Sequence, residues 1–228
     1  RAARERAASA HLIIVNHALL MADLTTDGSI LPEHEVLIID EAHHLEESAT
    51  RQLAFEVSQT TVHEHLNKVV GDGGLLHSAA SVLRAETIAS SRRQTVAKIV
   101  ENASNLSPTI REETAKLLAT AGKLSEATAD DSQNFGKGQE TRITNATRAQ
   151  PIWSDLEVSW ERVDLALSEL SLILTRLLTA LDDLDQAELP GYDGLILDAT
   201  ELSHANEQIR DRLSEFFPHP KKDNVYWV

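Results

Sequence analysis

The chain has 228 residues, a formal net charge of −15, no Cys, 42% hydrophobic residues and only 4% aromatic ones. The length suits one or two domains, and the apolar share supports a folded core over wholesale disorder. The missing Cys excludes a disulfide scaffold and a Cys-held zinc or iron–sulfur group within these residues, and the acidic total argues against simple nucleic-acid binding, which needs Lys and Arg.

In chain order, residues 1–10 are rich in Ala and Arg and read as the end of a helix. Leu12-Ile13-Ile14-Val15 and Val36-Leu37-Ile38-Ile39 are short, continuous, β-branched runs. Such runs suit strands buried on both faces of a parallel sheet, and the helical stretch His17 to Leu24 between them permits a βαβ-like crossover. Helices are expected over 59–70, 75–105 and 109–127, separated by Gly71-Asp72-Gly73-Gly74 and by Ser107-Pro108. Residues 128–140 are polar with two Gly and read as an exposed loop.

From Trp153 to Leu184, apolar residues alternate spacings of three and four without a break, an a/d seam that reads as the core of an antiparallel bundle in preference to a coiled coil between chains. At 1.5 Å per residue this helix is about 50 Å long. Pro190-Gly191 stops it, 201–217 forms another amphipathic helix, and Asn224-Val225-Tyr226-Trp227-Val228 reads as a strand. No stretch approaches the roughly 18 consecutive apolar residues of a membrane-spanning helix. The reading from composition is a soluble, cytoplasmic, acidic protein, and both termini look like cuts through a longer one.

The charge is uneven: residues 1–50 carry net −6, residues 51–148 net +1 and residues 149–228 net −10. The middle section places Arg84, Arg92, Arg93 and Lys98 on one expected helix and Arg142 and Arg148 beside the polar loop. These are candidates for nucleic-acid contact, weighed against an ordinary solvated face.

The chemistry concentrates in Leu37-Ile38-Ile39-Asp40-Glu41-Ala42-His43-His44. Ligands in open α/β sheets bind at the carboxyl ends of strands, and an acidic residue there holds Mg²⁺ in nucleotide hydrolases. A neighbouring carboxylate can orient and deprotonate water. Asp40-Glu41-Ala42-His43 is the DEAH box, and with Asn16-His17-Ala18-Leu19-Leu20 upstream and Leu45-Glu46 downstream it resembles the DinG/XPD branch of superfamily 2 helicases.

That resemblance implies an ATP-dependent DNA helicase of 5′-to-3′ polarity, acting in DNA repair or recombination. Asp40 would bind the Mg²⁺ of Mg-ATP, Glu41 would activate the hydrolytic water, and His43 would couple nucleotide state to the motor. Asn16 and His17 match the family's "NHALL" segment. The implied fold class is mostly α with a small α/β portion, a partial parallel sheet interrupted by a long helical arch. Residues 1–48 would belong to motor domain 1, 49–218 to the arch, and 219–228 to a strand returning to the motor. Partners would be single-stranded DNA and the rest of the motor, with no membrane.

The departures are as informative. No G-x-x-x-x-G-K-S/T phosphate loop occurs, and the second motor domain is absent. The 4Fe–4S cluster of many family members would sit upstream of these residues. The chain alone is therefore expected to be inactive.

Two other classes remain open. The acidic surface suits a helical protein-interaction module. Glu41-x-x-His44 and Glu201-x-x-His204 resemble the paired motifs of ferritin-like di-iron bundles, although Glu41 sits at an expected strand end. His43 with His44 is a weak zinc pair, and His63-x-His65 reads as a solvated pair at a helix start.

Overall fold

A computed structural model describes residues 6–25, 30–82, 90–128, 141–182, 191–222 and 224–228. Arg84, Leu184 and most of the expected loop lie outside the described residues. The chain divides into two compact units, residues 1–56 and 57–228. Its class is mostly α, with one two-stranded ladder among the described residues.

The first unit contains helix α1 (His17–Thr25), a 3-10 turn (Ala42–His44) and helix α2 (Leu45–Leu53), with α1 packed on α2. Asn16 starts α1, its Oδ1 accepting the Leu19 N–H at 2.9 Å. The expected parallel pairing of 12–15 with 36–39 is not formed among the described residues, and both runs lie outside any ladder. Leu12, Ile14, Val36 and Ile38 are 75–88% exposed. The physical reason is missing cover: a parallel strand needs neighbours at its edges and helices on both faces. Among the described residues of this unit, the two runs find neither a neighbouring strand nor helices that cover both their faces.

The second unit is a helical bundle. Helix α3 (Gln59–Val70) is capped by Ser58, whose Oγ accepts the Thr61 N–H at 3.1 Å. A tight turn leads into α4 (Leu75–Val82). A Cβ on Gly71 would stand 2.5 Å from the Asn67 carbonyl oxygen, so the turn requires glycine there.

Helix α5 (Ser90–Thr128) continues unbroken through Pro108, where the sequence pattern implied a break. Proline forfeits one hydrogen bond and crowds the preceding turn, at a cost of about 3 kcal/mol in a helix interior. Against that, Val96, Ile99, Ala103, Leu106, Ile110, Leu117 and Leu124 are buried on both sides of it. Burying one such side chain contributes roughly 1.5–3 kcal/mol, so a continuous stripe outweighs the proline.

Strand β1 (Arg142–Ile143) and the short helix α6 (Asn145–Arg148) precede α7 (Pro151–Asp182) and α8 (Tyr192–Phe216). A capping box between Thr144 and Thr147 begins α6. The seam residues Trp153, Leu156, Trp160, Val163, Leu167, Leu170, Leu174, Leu177 and Leu181 are all buried in α7. They pack inside the chain, because α7 lies against both α5 and α8. Gly191, in the left-handed region at φ 83°, turns the chain into α8, and the Tyr192 hydroxyl donates to the Leu181 carbonyl at 3.0 Å.

Strand β2 (Tyr226–Trp227) pairs antiparallel with β1, with Arg142 opposite Trp227 and Ile143 opposite Tyr226.

Candidate functional site

The DEAH segment forms a tight, exposed corner. Glu41 takes φ 50°, ψ 41°, the left-handed region, which costs a non-glycine residue about 1–2 kcal/mol. This turn, followed by the 3-10 turn, folds the Glu41 side chain back toward His43, with Glu41 Oε2 3.2 Å from His43 Nδ1. Asp40 Oδ1 accepts the Glu41 N–H at 2.9 Å. The His43 and His44 rings lie 3.9 Å apart between centroids, and His44 Nδ1 is 4.0 Å from Glu47 Oε2.

The two sequence motifs meet. His17 Nε2 donates to the backbone carbonyl of Asp40 at 3.0 Å, so the start of α1 holds the residue that opens the DEAH box. Asn16, one residue earlier, is the cap of that same helix.

Sequence reasoning missed Asp23. It is 5% exposed, and its Oδ1 accepts the N–H groups of Ile30 and Leu31, each at 2.8 Å. The carboxylate ties α1 to the chain that leads toward 36–39. A single acid within the apolar stretch His17-Ala-Leu-Leu-Met-Ala-Asp-Leu-Thr25 is the signal that would have found it.

Ligand atoms of Glu41, His43 and His44 all lie within 4.8 Å of one another, so the structure brings together the weak histidine pair and the acid. It does not support the di-iron reading. Glu41 is left-handed rather than helical, which removes the shared helical face. Glu201 and His204 are exposed on α8, and His204 Nδ1 stands 3.9 Å from Glu207, whereas di-iron ligands project into a bundle core.

The basic candidates separate by environment. Arg92, Arg93 and Lys98 are exposed on α5, and Arg142 is exposed on β1. Arg148 is used internally: its guanidinium donates to the carbonyls of Phe217 at 3.0 Å and Phe216 at 2.8 Å. It also lies 4.5 Å from the centre of the Trp153 ring. Arg148 therefore closes the end of α8 and anchors an aromatic cluster of Trp153, Trp160, Phe216, Phe217 and Tyr226.

His65 is a second correction. It is 6% exposed within α3, not a solvated partner of His63. Burial lowers its pKa from the ordinary 6.5; the nearby Asn206 side chain works against this, and the charge of Lys68 adds to it. Asn206 is fully buried and donates to the Leu167 carbonyl at 2.9 Å and to Ser171 Oγ at 2.8 Å.

Residues 1–62 match the DEAD_2 family model. The chain is 40% identical over 60 residues to the ATP-dependent helicase DinG of Mycobacterium tuberculosis strain H37Rv, covering 26% of this chain and 9% of that protein. The chain is thus similar to DinG helicases over part of its length. The ATP-dependent DNA helicase DinG of Photobacterium profundum is 38% identical over 117 residues, covering 48% of this chain and 15% of that protein. That alignment exceeds the 56 residues of the first unit, so this DinG-like match extends into the helical unit. The 3′-5′ exonuclease DinG of Bacillus subtilis is 31% identical over 88 residues, covering 38% of this chain and 10% of that protein. The aligned residues thus span only 9–15% of the length of these relatives. No solved structure matches the chain.

Proposed function

We propose that this chain is a section of an ATP-dependent DNA helicase of the DinG-like kind, working in DNA repair or recombination. The observation that carries the reading is the DEAH corner itself: Asp40, Glu41 and His43 are exposed, the backbone at Asp40 is held by His17, and all lie inside the segment that matches the family.

The donor set fits Mg-ATP. Mg²⁺ is a hard cation that takes oxygen ligands through one or two carboxylates, and Asp40 is an exposed carboxylate already oriented by a backbone N–H. When bound, the ion supplies charge neutralisation at the phosphates. Glu41 is the base for the hydrolytic water, and the 3.2 Å contact with His43 links that carboxylate to the next residue of the motor. A 4Fe–4S cluster has no Cys ligand in this chain, so any such group belongs to residues elsewhere in the longer protein.

In this reading residues 1–48 are part of the first motor domain and 49–218 form an arch that guides single-stranded DNA. The return of 219–228 to the motor rests on the family layout alone, since β2 pairs here with β1. Without a phosphate loop the isolated chain does not turn over ATP. DNA-stimulated ATP hydrolysis by the purified chain would overturn that part. The whole reading is tested by placing residues 1–228 between the flanking regions of a DinG helicase. Unwinding that Glu41→Gln abolishes supports it, and a chimera that folds, binds ATP and yields no DNA-dependent turnover sinks it.

A second reading, a protein-interaction module, has its own support. Val158, Leu165 and Leu172 recur every seven residues along α7 and are 49–72% exposed. Binding of the chain to a protein partner with no affinity for DNA at low salt favours it.

A further inference from the structure

The first turns of α5 and the last turns of α7 lie side by side and leave a groove of about 450 Å³. Each wall contributes one cation, Lys98 from α5 and Arg176 from α7. Both are exposed, and neither is ion-paired among the described residues. Some other cations of the bundle are ion-paired. Lys116, further along α5, is bridged by Glu112 and Glu113 at 2.8 Å, and Arg210 holds Asp164 at 2.9 Å. The volume lies in the range of about 300–1,000 Å³ that accommodates small-molecule-sized groups.

The rest of the lining separates a polar edge from an apolar floor. Asn102, one turn from Lys98, adds an amide donor. Ile99 and Ala180 are apolar. The hydroxyls of Thr95, Thr175 and Thr179 donate to the carbonyls of Ser91, Ser171 and Thr175, four residues back in their own helices. Their protons are therefore occupied, and the threonines offer the groove mainly methyl surface. Asp182 lines the adjoining cavity with Thr179, so the two cations and this acid mark different parts of the surface.

Two unneutralised cations beside an apolar floor match a ligand with alternating anionic and apolar parts. A nucleic-acid strand has that alternation, with phosphates for the cations and sugar and base faces for the floor. We infer that the α5–α7 groove binds the phosphodiester backbone of single-stranded DNA, with Lys98 and Arg176 as the phosphate contacts. This rests on the DNA-guiding reading above and names the surface that performs it. Arg176 was not among the basic candidates legible in the sequence, because it belongs to the acidic C-terminal third.

The test is fluorescence anisotropy of a fluorescein-labelled oligothymidylate with the 228-residue chain, titrated with salt. Each phosphate contact on a single strand contributes about 0.7 to the salt slope. Lys98→Ala/Arg176→Ala is expected to lower the slope by about 1.4 and to weaken binding roughly tens-fold at 50 mM salt. Lys98→Arg/Arg176→Lys keeps both charges and is expected to bind near wild type, and Lys222→Ala on the exposed C-terminal segment serves as control. Wild-type binding with affinity and slope unchanged in the double alanine variant overturns the groove while leaving DNA guiding intact. No binding by the wild-type chain at low salt overturns both. Equal competition by a duplex of the same sequence overturns the single-strand assignment.

Discussion

His17 and Asp40 are 23 positions apart, yet the His17 imidazole donates to the Asp40 carbonyl at 3.0 Å. A carbonyl only accepts, so Nε2 carries the proton and the tautomer is set by this bond. The contact holds the backbone at the point where it enters the left-handed Glu41.

Replacing His17 with Phe keeps the ring volume and removes the donor. A net hydrogen bond contributes about 0.5–1.5 kcal/mol, so local opening becomes roughly 2- to 12-fold more frequent. Hydrogen exchange at the amides of residues 41–44 reads this directly. Unchanged exchange would mean that the 3-10 turn holds the corner unaided.

Pro108 offers a stabilising substitution. It is exposed on α5, and its missing N–H leaves the ladder one bond short in mid-helix. Pro108→Ala is expected to raise unfolding free energy by about 1–3 kcal/mol, seen as a higher midpoint in urea. A lower midpoint would show that a bend at Pro108 is needed for packing.

Arg148 is expected to behave as a structural residue. Arg148→Met keeps most of the stem and loses two charged donors to the Phe216 and Phe217 carbonyls. A loss of about 2–4 kcal/mol in stability follows, from hydrogen bonds to charged groups of about 1.5–3 kcal/mol each and partial repair by water. DNA affinity measured below the unfolding transition should stay at the wild-type value. A selective loss of DNA binding in a fully folded variant would return Arg148 to the list of phosphate contacts.

The helical unit should lose stability on mild acidification. His65 is held below its ordinary pKa of 6.5 by burial, so the unfolded chain takes the proton first. Stability is therefore full above about pH 6.5 and falls as pH drops beneath it, by up to ~1.4 kcal/mol per unit until the folded-state pKa is reached. Urea midpoints between pH 7.5 and 5 measure this, and His65→Gln should flatten the dependence over that window. An equally steep slope in His65→Gln would assign the effect to other groups.

Much of the candidate site and of the bundle was legible in the sequence, for local reasons. The α7 seam depends only on helical period, so the residues from Trp153 to Leu181 identified themselves as core. The DEAH box and the "NHALL" segment are contiguous strings whose chemistry travels with their residue types. Ser58 and Gly71 mark the bounds of α3 because a cap and a tight turn are properties of a few neighbouring residues.

Tertiary structure decided what local pattern cannot carry. Pro108 is a breaker by propensity, and only packing on α7 makes a continuous α5 the cheaper state. Leu12–Val15 and Val36–Ile39 read as buried strands, but a strand is a relation between segments, and these find no partner among the described residues. Arg148 and Arg176 look alike in sequence as isolated cations. One is spent on the carbonyl end of α8, and the other is left facing a groove shared with Lys98. Residue type determined that the chain carries a DEAH corner and a helical bundle. Which charges are neutralised, which histidine is dry and which apolar runs are covered depended on distances between residues remote in sequence, because desolvation and Coulomb energies are set by three-dimensional neighbours.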